Sequence, residues 1–209
     1  LVENAIDANA TKIEIEIKNY GKDLIKVSDN GAGMGKEDLE LSVLRHATSK
    51  IGSEQDLFAI KTLGFRGEAL ASIAAVSKLT ISSRQHASIE GYRIEAFAGI
   101  IVNKSATGCP SGTIVEVQDL FFNTPARLKF LKSDTNELKN ITDIVTRYAL
   151  LYKNVAFKLM HNNHVLFTTN ITDNILNSIA SIYGADTARQ CLKVNYEKSG
   201  LSVSGYIAK

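Results

Sequence analysis

The sequence predicts a mixed α/β protein of the α+β kind, and three observations carry that prediction. Lys12–Lys18 (KIEIEIK) alternates strictly, with Ile13, Ile15 and Ile17 on one side, the period-2 mark of a half-buried strand. About Thr135–Tyr152 carries Leu138, Ile141, Ile144, Val145, Tyr148 and Leu151 at helical spacing, a long amphipathic helix. The 209 residues are 44% hydrophobic and 22% charged, the balance of an ordinary globular chain long enough for a sizeable core.

The remaining elements follow in order. Leu1–Ala10 (LVENAIDANA) reads as the C-terminal part of a helix, and with no initiating Met the chain is expected to be a fragment cut inside that element. Asn19-Tyr20-Gly21 is a turn, and Leu24–Ser28 resumes the alternation, so the first two strands read as a hairpin with Asp29 at its end. Six of the 14 glycines fall between Gly31 and Gly67, and within that stretch Glu37–His46 is helical by pattern, with Leu39, Val43 and Leu44 on one side. Gly67–Ser77 reads as a buried helix of small residues, and strands follow at Leu79–Ser83, Tyr92–Phe97 and Thr113–Val117. After the long helix come a hairpin (Val155–Met160, an Asn162-Asn163 turn, Val165–Thr168), a helix at Ile175–Tyr183 and short strands near Leu192–Tyr196 and Leu201–Ile207.

Composition excludes several classes. Lys+Arg 24 against Asp+Glu 22 gives a net charge of +2, which is neither histone-like nor acidic-tail chemistry. Cys109 and Cys191 are too few for a disulfide framework and read as packed thiols. His46, His86, His161 and His164 show no metal-ligand spacing, and no apolar run approaches the ~18 residues of a membrane span.

Four stretches carry chemistry. Asn4 and Asp7 share a helix face at i, i+3, where the Asn oxygen can ligate Mg²⁺; alone, the pair also describes a solvated polar face. Asp29-Asn30-Gly31-Ala32-Gly33-Met34 can aim a carboxylate at the exocyclic amine of adenine, although Asp-Asn-Gly by itself is ordinarily a tight turn. Arg45–Lys50 (RHATSK) offers Thr48, Ser49 and Lys50 to anionic oxygen, or else simply complements a helix C-terminus. Leu63–Leu70 (LGFRGEAL) is a glycine loop entering a helix, where backbone N–H groups favour phosphate. It is neither a Walker A loop nor a dinucleotide fingerprint. Glu68 reads there as a dipole or Arg66 partner.

In this order the four motifs resemble the GHKL ATPase superfamily. RHATSK, GFRGEALASI at Gly64–Ile73 and DLFFNTPARLKF at Asp119–Phe130 are similar to the MutL family of mismatch-repair ATPases, along the whole chain. The resemblance implies a GHKL (Bergerat) two-layer sandwich over residues 1–170, a mixed, mostly antiparallel sheet with helices on one face. Residues 171–209 then begin a second, ribosomal-protein-like (S5-like) transducer domain. It implies ATP and Mg²⁺ as ligands, with Asn4 on the metal and Asp7 and Ala8 lining the pocket. Asp29 reads adenine, Gly31, Gly33 and Met34 form its wall, and Thr113 sits beside both. Thr48, Ser49 and Lys50, with Gly64, Phe65, Arg66, Gly67, Glu68, Ala69 and Leu70, form the lid and phosphate cradle.

The family's general-base Glu precedes the metal Asn by four positions, one residue before Leu1. Glu3 points elsewhere on the helix and reads as structural support, through an ion pair. The fragment is thus expected to hydrolyse ATP poorly, and no catalytic residue is assigned within it. Implied partners are a MutS-type mismatch recognition protein, a second copy through ATP-dependent N-terminal dimerisation, and DNA. For DNA, Arg127, Lys129 and Lys132 make a small basic cluster after Pro125, and Lys139, Arg147 and Lys153 dot the long helix, each equally readable as a solvated charge on an amphipathic face. The implied location is intracellular, in cytoplasm and nucleoid or in a nucleus. A rival expectation from another class is a nucleotide-binding interaction module that switches partners without significant hydrolysis.

Overall fold

The computed structural model describes residues 1–44, 63–64 and 67–208. Its centre is an eight-stranded sheet built from β1 (Lys12–Lys18), β2 (Leu24–Asp29), β3 (Lys78–Arg84), β4 (Gly91–Phe97), β5 (Ile100–Thr107), β6 (Gly112–Gln118), β7 (Ala156–His161) and β8 (His164–Thr168). The spatial order is β5-β4-β3-β6-β2-β1-β7-β8. Every neighbouring pair is antiparallel except β1 and β7, which run parallel.

The period-2 pattern decides which face is buried. Residues directly opposite in a ladder point to the same side, so the register lines up rows across the sheet. One row runs Ile17, Ile25, Val117, Leu79 and Ala96, and the next Ile15, Val27, Val115, Ile81 and Ile94. Most of these side chains are buried. The opposite face carries charge instead, including the Lys26–Glu116 pair at 2.8 Å.

Helices cover the apolar face. The described residues form α1 (Val2–Asp7), α2 (Lys36–Leu41), α3 (Ala69–Ala74), α4 (Pro125–Lys129), α5 (Asp134–Leu151), α6 (Ile175–Tyr183) and α7 (Ala185–Gln190), of which α1, α2, α3 and α5 bring buried residues to the core under the sheet. Val145 and Ala149 of α5 and Ala5 of α1 pack with Ile13, Ile15, Phe157 and Leu159. Leu39 of α2 and Ala74 of α3 pack with Leu79, Ile81 and Val115. Two layers, one sheet and one set of helices, thus enclose the core. No helix among the described residues is long and apolar enough to cross a membrane.

Several expectations need correction. The helix over 37–46 stops at Leu41, and Leu44 is 50% exposed rather than on the buried side. The apolar stripe of α5 is wider than its buried face, since Ile144 and Leu151 stay exposed while Thr146 and Ala149 are buried. Strand β5 and the short helices α4 and α7 are additions. β5 is an edge strand with an almost wholly exposed pattern, so no alternation marks it. Beyond β8, α6 packs on α5 and β8, whereas β9 (Leu192–Lys198) and β10 (Leu201–Ile207) pair only with each other.

Candidate functional site

The third row of the buried face breaks the apolar pattern. After Ile13 it continues through Asp29, Thr113 and Ser83 on three adjacent strands. Asp29 occupies the position on β2 where Ile25 and Val27 predict another apolar residue, so its carboxylate is turned to the side of the sheet that the helices cover. The Asp29 carboxyl is held above the ordinary carboxylate range by burial, which outweighs the opposing hydrogen bonds from the backbone of Gly31 and Thr113. The Gly31 N–H donates to Asp29 Oδ1 at 2.8 Å.

Ser83, which sequence reasoning missed, organises the same row. It is 0% exposed, and its Oγ lies 2.9 Å from Thr113 Oγ1 and donates to the Gly112 carbonyl at 2.9 Å. The same Oγ accepts the Met34 N–H at 2.8 Å. A signal for it was present: Ser83 continues the inward positions of Leu79 and Ile81, where a small polar residue has no reason to sit unless it has partners.

The turn after β2 is fixed from three sides. Asn30 Oδ1 accepts the N–H groups of Thr11 and Lys12, and the Ala32 N–H donates to the Ala8 carbonyl. Gly33, at φ +70, has no room for a side chain, because a Cβ there would lie 2.1 Å from the Arg84 carbonyl oxygen. A Cβ on Gly31 would lie 2.8 Å from that of Ala8, so the C-terminal end of α1 and this turn touch. Met34 and Leu70 place their side chains against the core.

Helix α1 brings the remaining groups. Asn4 and Asp7 share its face, and the Asp7 carboxylate accepts the Leu63 N–H at 2.9 Å and the Gly64 N–H at 3.1 Å. Gly67, at φ +62, and Glu68, the N-cap residue, then lead into α3, which Ala69 begins. Glu3 has a different structural partner from the expected ion pair: it accepts a hydrogen bond from the Tyr148 hydroxyl of α5. Burial first, and the Glu3 carboxylate second, push the Tyr148 phenol up to about 12. Thr48, Ser49, Lys50, Phe65 and Arg66 lie outside the described residues. The structure therefore gathers Asp7, Ala8, Asp29, Gly31, Gly33, Met34, Gly64 and Thr113, with Asn4 on the same helix, at the end of the sheet where the polar row lies. Of the basic residues named for DNA, Arg127 lies over the Phe121 ring at 4.4 Å. No group of three or more His, Cys, Asp and Glu capable of holding a metal occurs among the described residues.

Comparison with known proteins agrees with this architecture. The family described as histidine kinase-, DNA gyrase B-, and HSP90-like ATPase matches residues 1–104. The DNA mismatch repair protein MutL of Halothermothrix orenii is 47% identical over 209 residues, covering the whole chain and 32% of that protein. That of Desulforamulus reducens is 48% identical over the same span and 33% of its length. The chain thus spans about a third of these curated relatives. Among solved structures, the Aquifex aeolicus MutL ATPase domain complexed with ADP superposes with a TM-score of 0.72 at 32% identity, over 93% of this chain and 68% of that one. Identity at this level, across two thirds of a solved domain and on the same sheet-and-helix architecture, means that this chain belongs to the MutL family.

Proposed function

We propose that the chain binds Mg-ATP at the polar end of its sheet and serves, within a longer protein, as the ATPase of DNA mismatch repair. The observation that carries this reading is the Asp29–Thr113–Ser83 row. A half-buried carboxylate whose neighbours are hydroxyls and backbone amides is an acceptor suited to the exocyclic amine of adenine. The ADP complex of the Aquifex aeolicus relative supports an adenine nucleotide as ligand.

Asn4 fits a Mg²⁺ that keeps water and takes its other oxygens from the substrate. Mg²⁺ bound with phosphate substrates needs only one or two protein oxygens. When bound, the ion would neutralise charge on the phosphate oxygens. Gly31, Gly33 and Met34 would shape the adenine wall, and Thr48–Lys50 with Gly64–Leu70 would enclose the phosphates. Ordering of these last stretches around the nucleotide would build a surface for N-terminal dimerisation, passing mismatch recognition by a MutS-type protein to later repair on DNA. The same reading divides the chain near residue 170. Its support is that the large sheet ends at Thr168 and the final hairpin pairs only with itself.

The test is calorimetric titration of Mg-ATP into the chain and into Asp29→Asn and Asn4→Ala. Both substitutions should weaken binding, the first for every adenine nucleotide and the second only with Mg²⁺ present. Unchanged binding in both would refute the site.

A further inference from the structure

Asp7 has a contact that its assignment to the nucleotide does not use. Its two carboxylate oxygens each accept one N–H from consecutive residues, Leu63 to Oδ1 at 2.9 Å and Gly64 to Oδ2 at 3.1 Å. Two successive amides converging on an anion form the kind of concavity that elsewhere receives phosphate. Here the anion is the protein's own. A carboxylate so engaged carries the wrong charge to bind a triphosphate, and the two amides it holds are already committed.

Besides its Glu3 contact with α5, helix α1 is joined to the two loop segments near the polar row by two different groups. The Ala8 carbonyl holds the Ala32 N–H of the turn beside Asp29, and the Asp7 carboxylate holds Leu63 and Gly64. Asn4 lies one turn back on the face that Asp7 shares. We propose that Asp7 is a positioning residue: it fixes the start of the Gly64–Leu70 motif relative to Asn4, and so sets where that motif meets the nucleotide's phosphates. The functional half of this inference rests on the nucleotide reading above, whereas the contact itself does not.

The experiment uses the 209-residue chain with Asp7→Asn and Asp7→Ala, with residue-resolved amide hydrogen exchange measured without nucleotide and Mg-ATP affinity measured separately. Asn keeps one acceptor but turns an NH₂ toward the second amide. The Leu63 and Gly64 amides should then exchange roughly tenfold faster or more, the loss expected for charge-assisted hydrogen bonds. Exchange of the Ile15 and Ile17 amides in β1 should not change, which separates release of this segment from general loosening. Mg-ATP affinity should fall in parallel. Unchanged exchange at Leu63 and Gly64 overturns the proposal, and a fall in affinity with unchanged exchange would make Asp7 a direct ligand instead. Faster exchange with unaltered affinity overturns the positioning role. The unsubstituted chain gives a check that needs no variant, since amides at these two positions exchanging like an unstructured peptide would end the proposal. Should no form bind Mg-ATP, the nucleotide reading fails, and exchange still decides whether Asp7 holds the segment.

Discussion

Replacing Asp29 with Asn separates what the carboxylate does for the ligand from what it does for the fold. Asn is nearly isosteric, and its oxygen can keep the Gly31 N–H that Asp29 Oδ1 now accepts. Facing adenine, however, the new NH₂ meets another NH₂. Losing a hydrogen bond to a charged acceptor costs about 1.5–3 kcal/mol, roughly 10- to 150-fold in Kd. Stability should move the other way. The folded pKa of Asp29 is raised, chiefly by burial, so folding favours the neutral form. That contribution is complete below the unfolded pKa and is lost as pH rises through the folded value. Asn imitates the neutral form at every pH. At pH 7 without nucleotide, Asp29→Asn should therefore melt at or above the temperature of the unsubstituted chain, and near pH 3 the difference should shrink. Calorimetric titration and thermal melting at the two pH values measure both effects. A lower melting temperature at pH 7 together with unchanged Mg-ATP affinity would refute the reasoning, and would make Asp29 a structural anchor of the turn.

Gly33→Ala places a methyl 2.1 Å from the Arg84 carbonyl oxygen in a left-handed conformation, and should cost about 2 kcal/mol or more in urea unfolding. Ser83→Ala leaves the part-buried Met34 N–H without its acceptor and should cost about 1–2 kcal/mol, with weaker Mg-ATP binding as the adenine wall loosens. Tyr148→Phe removes the hydroxyl that Glu3 accepts. In the unsubstituted chain one phenol should resist spectrophotometric titration until about pH 12. Stability from that phenol is present below its unfolded pKa near 10 and is lost as pH passes through about 12, and the Phe variant should not show this loss.

Much of the architecture was legible because one face of the sheet is buried and the other is not. Ile13, Ile15 and Ile17 alternate with charged residues for that reason, and β1 runs over the residues the pattern marked. The Asn162-Asn163 turn was equally readable, both residues having positive φ, as the hairpin requires. Where burial is absent the pattern is too. The edge strand β5 and the six-residue helix α7 have few or no buried positions to repeat, so periodicity had nothing to report. At the candidate site, Asp29 and the glycines were named through the family motifs, since Asp-Asn-Gly alone describes an ordinary tight turn. Ser83 went unnamed although its inward place after Leu79 and Ile81 was readable, because the partners that give it a role lie 29 and 30 residues away in sequence. Asp7 was named for the candidate site through the family resemblance, but its hold on Leu63 and Gly64 bridges 56 and 57 residues, a pairing no local pattern reveals.

The order of the eight strands has a kinetic consequence. β1 with β2, β3 with β4 and β5, and β7 with β8 are neighbours in sequence and can pair locally. β2 and β6, by contrast, meet only after a long loop closes, and loop-closure entropy makes such pairings late. Asp29 and Thr113 face each other across that join, so hairpins alone contain no pocket. A ligand of this site should therefore leave the folding rate almost unchanged and slow unfolding instead, because it recognises contacts absent from the early transition state.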